Sequence, residues 1–380
     1  MRLVIFSSVP HYQHSQITAH AGFVHEIDLW ASIFEEILVI ALIGVGNAPA
    51  DAIPYSFKNI SFFWLDKTLS TDGVRGKLLL LLKYPFWIQK SLQVLSNEDV
   101  VMARGPDSVG FLGFITGKYL HLPHFAKYAD QWKNFDDEPL GYRIQKMVYR
   151  SHFFGGPVQI YGSADAKHPH LVPFFTSSVT LTDWEYAKNV ILQRKFELPF
   201  RLIFVGRLVR AKGVDLIVDA VRILHTDGYP VHLEIVGEGS ELINLKNLVS
   251  DLGLSKLVTF NGQLDWSAIQ ERFAISHCFI HASRKEGFGK VLIEAMSYGL
   301  PIIGTDVGLS CEILSPPQYG FVVPPNSAEA IAEQVKLIMD NYSASVEVGE
   351  RARQKARNYL LENVREQYVS FVKKCLGCNI

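Results

Sequence analysis

Short apolar runs alternate with helical patterns along the whole chain, in two successive series. Each run predicts a buried strand, and each pattern between runs predicts a helix. The strands predicted in the first series are Leu3–Ser7, Ile37–Ile43, Ile60–Leu65, Val100–Ala103, His124–Tyr128 and Val158–Gly162. Those predicted in the second are Arg201–Val205, His232–Val236, Val258–Gly262, Cys278–His281, Pro301–Gly304 and Gly320–Val323. Strand and helix in this alternation predict parallel sheets covered by helices.

Two such series predict two doubly wound α/β domains with a boundary within Pro173–Pro199. We expect an N-terminal domain over residues 1–180, a C-terminal domain over residues 195–355, and a C-terminal helix over residues 356–380 that crosses back to the N-terminal domain. Ligands of such domains collect beyond the carboxyl ends of the strands, in the cleft between the domains. Polar residues directly after strands are therefore the first functional candidates.

Composition narrows the class of protein. The chain has 380 residues, which is too long for one ordinary core, and it is 48% hydrophobic and 20% charged, as soluble globular proteins are. A formal net charge of −1 gives no indication of nucleic-acid binding. The N-terminus predicts a first strand rather than a signal peptide, and the longest apolar runs, Ile37–Val45 and Leu78–Leu82, are too short to cross a bilayer. We expect a cytoplasmic location.

The four cysteines do not predict a metal site. Cys278 and Cys311 lie in stretches that favour a reduced, buried thiol. Cys375 and Cys378 form a lone C-x-x-C, and no second pair completes the four ligands of a zinc site. This usage is typical of a reducing compartment.

The first chemical motif follows the strand Arg201–Val205 and reads Gly206-Arg-Leu-Val-Arg-Ala-Lys212-Gly213. Gly206 permits a tight turn, and Arg207 and Lys212 place two cations beside a predicted helix start near Gly213. An arginine fork, a lysine point charge and a helix N-terminus together suit a diphosphate. By itself, the pair is equally typical of two surface cations in a strand–helix loop.

The second motif follows the strand Cys278–His281 and runs from Ser283 through Glu286-Gly-Phe-Gly-Lys290 into a predicted helix, Val291–Tyr298. Its glycines let backbone N–H groups approach a ligand, and the carboxylates of Glu286 and Glu294 suit pairs of sugar hydroxyls. Separately, Glu294 is also typical of a solvated helix face, and Glu286 of a loop acid paired with a neighbouring cation.

Together the two motifs resemble the signature of the family-four, or group 1, retaining glycosyltransferases of the GT-B fold. The signature G-R-L-x-x-x-K-G matches residues 206–213, and E-G-F-G-x-x-x-x-E-A matches residues 286–295. Shorter matching pieces are Val236–Gly239, Gly262–Leu264 and Met296–Pro301. The resemblance is strong over about residues 200–325, and it implies two Rossmann-like domains that face a central cleft.

The resemblance also implies roles. Arg207 and Lys212 would bind the donor diphosphate, Glu286 the transferred sugar and Glu294 the ribose. The remaining donor-side residues would be Gly206, Gly237, Leu264, Gly287, Phe288, Gly289 and Lys290. The reaction would retain the anomeric configuration, with a UDP- or GDP-linked hexose as donor and a glycan or lipid-linked acceptor, in the synthesis of cell-surface polysaccharide or glycolipid. No cofactor is implied.

The N-terminal half fits the family less closely. Where relatives often have a glycine-rich loop, this chain has Ser8–His14, so a donor contact there stays open. Acceptor-side candidates are His11, His124 and Asp130, and Asp130 at a predicted strand end is the preferred residue for orienting the acceptor. A loop aspartate that caps the next segment is an equal alternative for Asp130.

We expect no metal. No D-x-D signature stands near either motif, so protein cations would stabilise the leaving diphosphate. The cluster Asp136-Asp137-Glu138 is more typical of a solvated loop than of a metal site. Separate roles at helix ends and on the surface are likewise more typical of His11, His14 and His20 than a shared metal site.

A membrane contact is a further hypothesis. On the predicted helix Tyr142–Phe154, helical spacing places Arg143, Lys146 and Arg150 on one stripe, with Ile144, Met147 and Val148 toward a core. Such a stripe suits an anionic membrane surface, although it also suits an ordinary solvated face.

Two other functions remain as alternatives. A GT-B phosphorylase is less favoured, because such enzymes usually need a pyridoxal phosphate lysine and a longer chain. A non-catalytic nucleotide-sugar-binding subunit is less favoured because Arg207, Lys212, Glu286 and Glu294 are all in place.

Overall fold

The computed structural model describes residues 1–13, 15–49, 52–67, 73–135, 138–163, 166–191 and 194–377 of the chain, with side chains except at residues 73–81 and 375. Within these ranges the chain forms two compact units, Met1–Phe174 with Arg365–Ile380, and Phe175–Val364. Each unit is a sheet covered by helices, wholly parallel in the second unit and mainly parallel in the first.

The first unit begins with a long strand and alternates strands with helices thereafter. Its elements are β1 (Arg2–Gln13), β2 (Ile17–His20), α1 (Ala21–Ala31), β3 (Glu36–Ile43), β4 (Ala52–Pro54), β5 (Ile60–Lys67), α2 (Gly73–Leu92), β6 (Asp99–Gly105), α3 (Ser108–Tyr119), β7 (His124–Gln131), α4 (Leu140–Arg150), β8 (Val158–Tyr161) and β9 (Leu171–Pro173). The parallel strands lie in the order β5-β3-β1-β6-β7-β8-β9. The order reverses direction between β1 and β6.

The remaining elements are α5 (Leu181–Ile191), β10 (Phe200–Val205), α6 (Val214–Thr226), β11 (Val231–Val236), α7 (Leu242–Asp251), β12 (Val258–Gly262), α8 (Trp266–Ile275), β13 (Cys278–His281), α9 (Lys290–Ser297), β14 (Ile302–Thr305), α10 (Ser310–Leu314), β15 (Phe321–Val323), α11 (Ala328–Asp340), α12 (Tyr342–Ala356) and α13 (Leu361–Leu376). Short 3₁₀ helices at Arg210–Lys212 and Arg357–Tyr359 precede α6 and α13. The strand order is β12-β11-β10-β13-β14-β15, and all these pairs are parallel. Here the order reverses between β10 and β13.

The core of the second unit explains why these segments become strands and helices. Leu202 and Phe204 alternate on β10 and are fully or almost fully buried, while Ile217 and Val221 follow one another by one helical turn on α6. The buried faces of β10 and α6 therefore meet in one apolar cluster.

The end of the chain packs into the first unit. The ring of Tyr368 on α13 stacks on Trp30 with centroids 4.3 Å apart, and Phe371 meets Phe125 edge-on at 5.2 Å. All four rings are at least 95% buried, so the last helix completes the core of this unit.

All the strands predicted from the sequence are present, with small differences at their ends. The prediction of a loop over residues 8–14 is wrong as far as the structure describes it. β1 continues to Gln13 and turns into an antiparallel pair with β2, with Tyr12 opposite Thr18. β2 in turn pairs with β4. The short strands β2, β4 and β9 had not been predicted.

Candidate functional site

The strand order of the second unit brings the two sequence motifs together. The order reverses between β10 and β13, so the loops that follow these two strands leave the same edge of the sheet in opposite directions. This is the place where doubly wound sheets bind ligands. The loop after β10 carries Gly206–Gly213, and the loop after β13 carries Ala282–Gly289.

Backbone contacts join these two loops. Gly213 has a left-handed backbone with φ of 63°, and a Cβ atom there would lie 2.1 Å from the carbonyl oxygen of Ala282. Only glycine tolerates both conditions. The N–H of Arg284 donates to the carbonyl of Ala211 at 2.7 Å, and the Arg284 guanidinium binds both oxygens of Asp215 at 2.6 and 2.7 Å. The first turn of α6 is thereby tied to the second loop.

Lys212 and Glu286 form an ion pair where the loops meet. The Lys212 ammonium contacts Oε2 of Glu286, and the two side chains are 18% and 15% exposed. The same oxygen lies 3.2 Å from Nε2 of His281 and 3.5 Å from Oγ of Ser283. Burial would raise the pKa of the Glu286 carboxyl, but the hydrogen bond from His281 and the Lys212 cation lower it to about 2. Glu286 is therefore an ionised acceptor at neutral pH.

Arg207 differs from Lys212 in its surroundings. Its side chain is exposed, and it makes no hydrogen bond or ion pair with any residue that the structure describes. A guanidinium in this state can turn toward an anion without breaking an existing contact. The loop thus offers one fixed and one adaptable cation.

Glu294 lies in the middle of α9 and is half-buried. Ser178 donates a hydrogen bond from its hydroxyl to Oε1 of Glu294. Burial raises the pKa of this carboxyl, and the opposing contributions of Ser178 and Lys290 do not cancel the increase. The two glutamates therefore have opposite electrostatic environments, which suits different roles.

The other donor-side candidates surround these acids. Gly289 begins α9 with a φ of 75°, and Phe288 before it is buried. The N–H of Gly237, after β11, donates to the carbonyl of Gly262 at 2.7 Å, and Leu264 follows as a half-buried side chain. A Cβ atom at Gly237 would lie 1.9 Å from the carbonyl oxygen of Gly206, so a glycine here lets the loops after β10 and β11 approach closely.

Of the acceptor-side candidates, Asp130 lies where the sequence led us to expect it. It is the last residue but one of β7, beside an irregularity in the pairing with β8, and it is half-buried. Its Oδ1 accepts the N–H of Gln131 at 2.7 Å. Asp130 is thus at the carboxyl edge of the first sheet.

The other two candidates do not lie on an open carboxyl edge. The ring of His11 is 0% exposed, surrounded by Phe23, Tyr55, Phe62 and Trp64, and both its nitrogens have partners. Burial lowers the pKa of His11 to about 4, so it is a neutral core residue. His124 begins β7 and therefore lies at the amino edge of the sheet, opposite the carboxyl edge. Its two ring nitrogens contact the carbonyl oxygens of Leu122 and Phe154.

The predicted orientation of α4 is wrong. Lys146 is only 1% exposed, because its ammonium pairs with the buried carboxylate of Glu138. Ile144 and Met147, expected in a core, are 43% and 64% exposed. Arg143, Lys146 and Arg150 therefore do not form a basic surface stripe.

Several acidic and histidine positions were considered for metal binding. Within the described ranges, no group of three or more histidine, cysteine or acidic side chains could hold a metal ion. Glu138 is buried against Lys146 rather than solvated, and His20 caps α1 by accepting the N–H of Gly22. Asp136, Asp137, His14 and Cys378 lie outside the described residues, as does the side chain of Cys375.

Three polar residues of this site received no role in the sequence interpretation. His281 and Ser283 contact Glu286, and Ser178 contacts Glu294. His281 and Ser283 were recognisable as neighbours of the motif, since both stand within five residues of Glu286. Ser178 lies 116 positions from Glu294, and nothing in the local pattern connects them.

Comparison with known proteins decides the family. Residues 192–355 match the family model described as glycosyl transferases group 1. This part of the chain is a group 1 glycosyl transferase domain. The predicted group 1 family is confirmed for this domain, which contains Lys212, Glu286 and Glu294, and the retaining mechanism stays a prediction.

Two curated relatives are similar to this chain. The GtfA subunit of the UDP-N-acetylglucosamine–peptide N-acetylglucosaminyltransferase of Streptococcus gordonii is 26% identical over 304 residues, which is 74% of this chain and 57% of the relative. The N-acetyl-alpha-D-glucosaminyl L-malate synthase of Bacillus anthracis is 30% identical over 168 residues, 44% of this chain and 43% of the relative. The chain thus spans about half the length of these relatives.

A solved structure extends the likeness to the fold of the whole chain. The Anabaena protein HepE, solved in complex with UDP, has a TM-score of 0.67 and 16% sequence identity, with 98% of this chain and 99% of that chain covered. The predicted GT-B fold, with two Rossmann-like domains, is confirmed. Among the described helices, none is both long and apolar enough to cross a membrane.

Proposed function

We propose that this protein transfers a hexose from a nucleoside-diphosphate sugar to a glycan or lipid-linked acceptor, with retention of the anomeric configuration. The observation that carries the proposal is the position of Lys212 and Glu286. A cation and an ionised acceptor meet where the strand order of a group 1 domain reverses. A diphosphate needs a cation, and sugar hydroxyls need a hydrogen-bond acceptor.

The donor is UDP-linked in this proposal. The name of the Streptococcus gordonii relative includes UDP-N-acetylglucosamine, and HepE was solved with UDP. Gly237 and Leu264 would flank the base, Glu294 would accept hydroxyl groups of the ribose, and the loop amides from Gly287 to Lys290 would approach the phosphates and sugar. The half-buried Glu294 already accepts one hydroxyl, from Ser178, so its environment suits such a ligand.

The proposed course of the reaction is the one that the resemblance to group 1 enzymes implies, and the charges in the site support it. The acceptor hydroxyl attacks the anomeric carbon on the face that the diphosphate leaves. The bond from that carbon to the diphosphate oxygen breaks with its electron pair on the oxygen, which takes up the acceptor proton. Arg207 and Lys212 stabilise the charge that develops on the diphosphate, so the protein supplies the positive charge and no metal is required. Asp130 orients the acceptor.

The product belongs to cell-surface polysaccharide or glycolipid synthesis, at the cytoplasmic side of the membrane where nucleotide sugars are used. This part of the proposal rests on the family resemblance and on the similarity to a relative named as a capsular polysaccharide biosynthesis glycosyltransferase, CapM of Staphylococcus aureus.

Nucleotide release from a panel of UDP- and GDP-sugars tests the proposal, with oligosaccharide and lipid-linked acceptors supplied. We expect release with at least one UDP-sugar and acceleration by an acceptor. Tight binding of a UDP-sugar without release would favour a non-catalytic subunit. Phosphate-dependent cleavage of an oligosaccharide, with no nucleotide release, would favour a phosphorylase.

A further inference from the structure

One oxygen of Glu286 receives every hydrogen bond that the structure gives to this carboxylate. Lys212, His281 and Ser283 all contact Oε2. No described residue donates to Oε1. Oε1 is therefore the oxygen left for a sugar hydroxyl, and the three donors to Oε2 determine where it points.

His281 is held in the interior of the second unit. It ends β13 and its side chain is 1% exposed. The hydroxyl of the buried Thr305 donates to the carbonyls of His281 and Ser283 at 3.3 and 2.6 Å, which fixes the backbone that carries both. The other ring nitrogen, Nδ1, is buried without a partner among the described residues. A buried imidazole with one unmade hydrogen bond has an energetic cost that its contact with Glu286 must offset.

The proton on His281 can be assigned from its partner. An ionised carboxylate only accepts hydrogen bonds, so Nε2 must carry a proton to bind Oε2. A neutral imidazole then has its unprotonated nitrogen at Nδ1. The hydroxyl oxygen of Ser283 lies 3.2 Å from Nε2 of His281 and 3.5 Å from Oε2 of Glu286. Its proton can therefore be donated to Oε2 while Nε2 keeps its own proton.

Binding of the nucleotide sugar would give Lys212 a second partner besides Glu286. In the proposed function its ammonium must serve the diphosphate, which competes with Glu286 for the same cation. His281 and Ser283 lie in the interior and cannot follow a ligand. The carboxylate therefore depends on these two residues when the diphosphate is present.

We propose that His281, supported by Ser283, is a positioning residue that holds Oε2 of Glu286 and leaves Oε1 for the sugar while Lys212 binds the diphosphate. This inference rests on the proposed function. In this arrangement His281 acts on the sugar through Glu286, so its removal should impair transfer and spare nucleotide binding.

The test compares His281→Leu, which removes the donor at similar volume, with His281→Gln, whose amide can replace Nε2–H. For His281→Leu we expect kcat to fall about 10- to 100-fold, the scale of losing one hydrogen bond to a charged group. The dissociation constant of UDP, measured by calorimetry, should stay within about twofold, since Arg207, Lys212 and Glu294 are unchanged. His281→Gln should recover most of kcat.

The pH profile separates positioning from general damage. The titratable groups that face Glu286 among the described residues are Lys212 from the first loop and His281 from β13. Loss of one donor weakens the ionised form of Glu286, so the acid limb of kcat/KM should move to higher pH in His281→Leu and return in His281→Gln. Unchanged kcat and profile in His281→Leu, or equal losses of kcat and UDP affinity, would overturn the proposal.

Two further measurements keep the inference testable. If His281→Leu does not fold, Ser283→Ala removes the supporting donor, and it should show the same split between kcat and UDP affinity to a smaller degree. Equal losses of both would overturn the role. If the wild type transfers no sugar, the proposed function fails, but the pH dependence of the unfolding temperature still reports Glu286. Identical pH dependence in wild type, His281→Leu and His281→Gln would then refute the contact itself.

Discussion

Replacement of Lys212 by alanine tests the charge distribution of the candidate site most sharply. Lys212 is 18% exposed and pairs with Glu286, so its charge acts in a partly desolvated place and is positioned before a ligand arrives. Loss of one such preorganised contact costs about 10²- to 10³-fold in kcat/KM, or about 3–4 kcal/mol of transition-state stabilisation. We therefore expect Lys212→Ala to lose kcat/KM on this scale.

The structure also predicts what Lys212→Ala leaves intact. Glu286 keeps His281 and Ser283, so its pKa should rise from about 2 and still lie below neutral pH. A carboxyl group whose pKa is lower in the folded than in the unfolded protein stabilises the fold at pH values above its unfolded-state pKa. This stabilisation is lost as the pH falls through the folded-state pKa. Near pH 7 the variant should therefore fold. At pH 3–4 the unfolding temperature of Lys212→Ala should differ less from that of Glu286→Gln than the unfolding temperature of the wild type does.

The assay is the initial rate of nucleotide release at several donor concentrations. Arg210→Ala is the matched control, because Arg210 is an exposed cation in the same loop whose side chain makes no hydrogen bond or ion pair with a described residue. It should change kcat/KM by less than about threefold, as an exposed charge does. Equal rates for Lys212→Ala and Arg210→Ala would refute the assignment of Lys212.

Three further predictions address other parts of the molecule. Glu294→Ala should chiefly weaken UDP binding in calorimetry, and Glu286→Ala should chiefly lower kcat, because a ribose contact is present in ground and transition states alike; equal losses of UDP affinity would contradict this split. Activity should survive EDTA, because Arg207 and Lys212 supply the charge, and complete loss that Mn²⁺ or Mg²⁺ restores would contradict the mechanism. Lys146→Met should lower the free energy of unfolding in urea by about 3 kcal/mol, because the buried Glu138 then keeps only the Arg143 guanidinium, which is 3.8 Å away and 59% exposed. The double variant Lys146→Met/Glu138→Leu should recover most of that loss, and a single variant as stable as the wild type would show that the pair is not buried in solution.

Much of the second unit was predictable, because its chemistry follows directly from strand ends. Lys212 and Glu286 are 74 positions apart, yet both come shortly after a predicted strand. A doubly wound sheet places such strand ends along one edge, and the strand order puts β10 beside β13. The ion pair itself needed the structure, since sequence does not say which cation a loop acid meets.

The orientation of α4 was not predictable from periodicity alone. A helical pattern identifies which residues share a face, and the apolar face is the one expected to pack against the core. Here a residue just outside the helix reverses the choice. The buried carboxylate of Glu138, two residues before α4, compensates the Lys146 ammonium, and Tyr149 fills the core on the same helix. The hydrophobic Ile144 and Met147 are left outside.

The extension of β1 was missed for a similar reason. Residues 8–13 contain no apolar run that indicates a strand. What stabilises this segment is the ring of His11 against Tyr55, Phe62 and Trp64, which come from later strands or loops. The partners of a polar aromatic residue are set by the tertiary fold, so its burial could not be read from local sequence.

The stereochemistry of the transferred sugar tests the central claim most directly. The donor that releases nucleotide in the panel is incubated with the enzyme and with the acceptor that accelerates release, and the anomeric protons are followed by ¹H NMR, with Lys212→Ala as the control. The account predicts that the donor signal declines as one product signal appears first, with the anomeric configuration of the donor, and that both changes nearly vanish in the control. A first product of opposite configuration would contradict retention, and no decline with any nucleotide sugar would contradict sugar transfer itself.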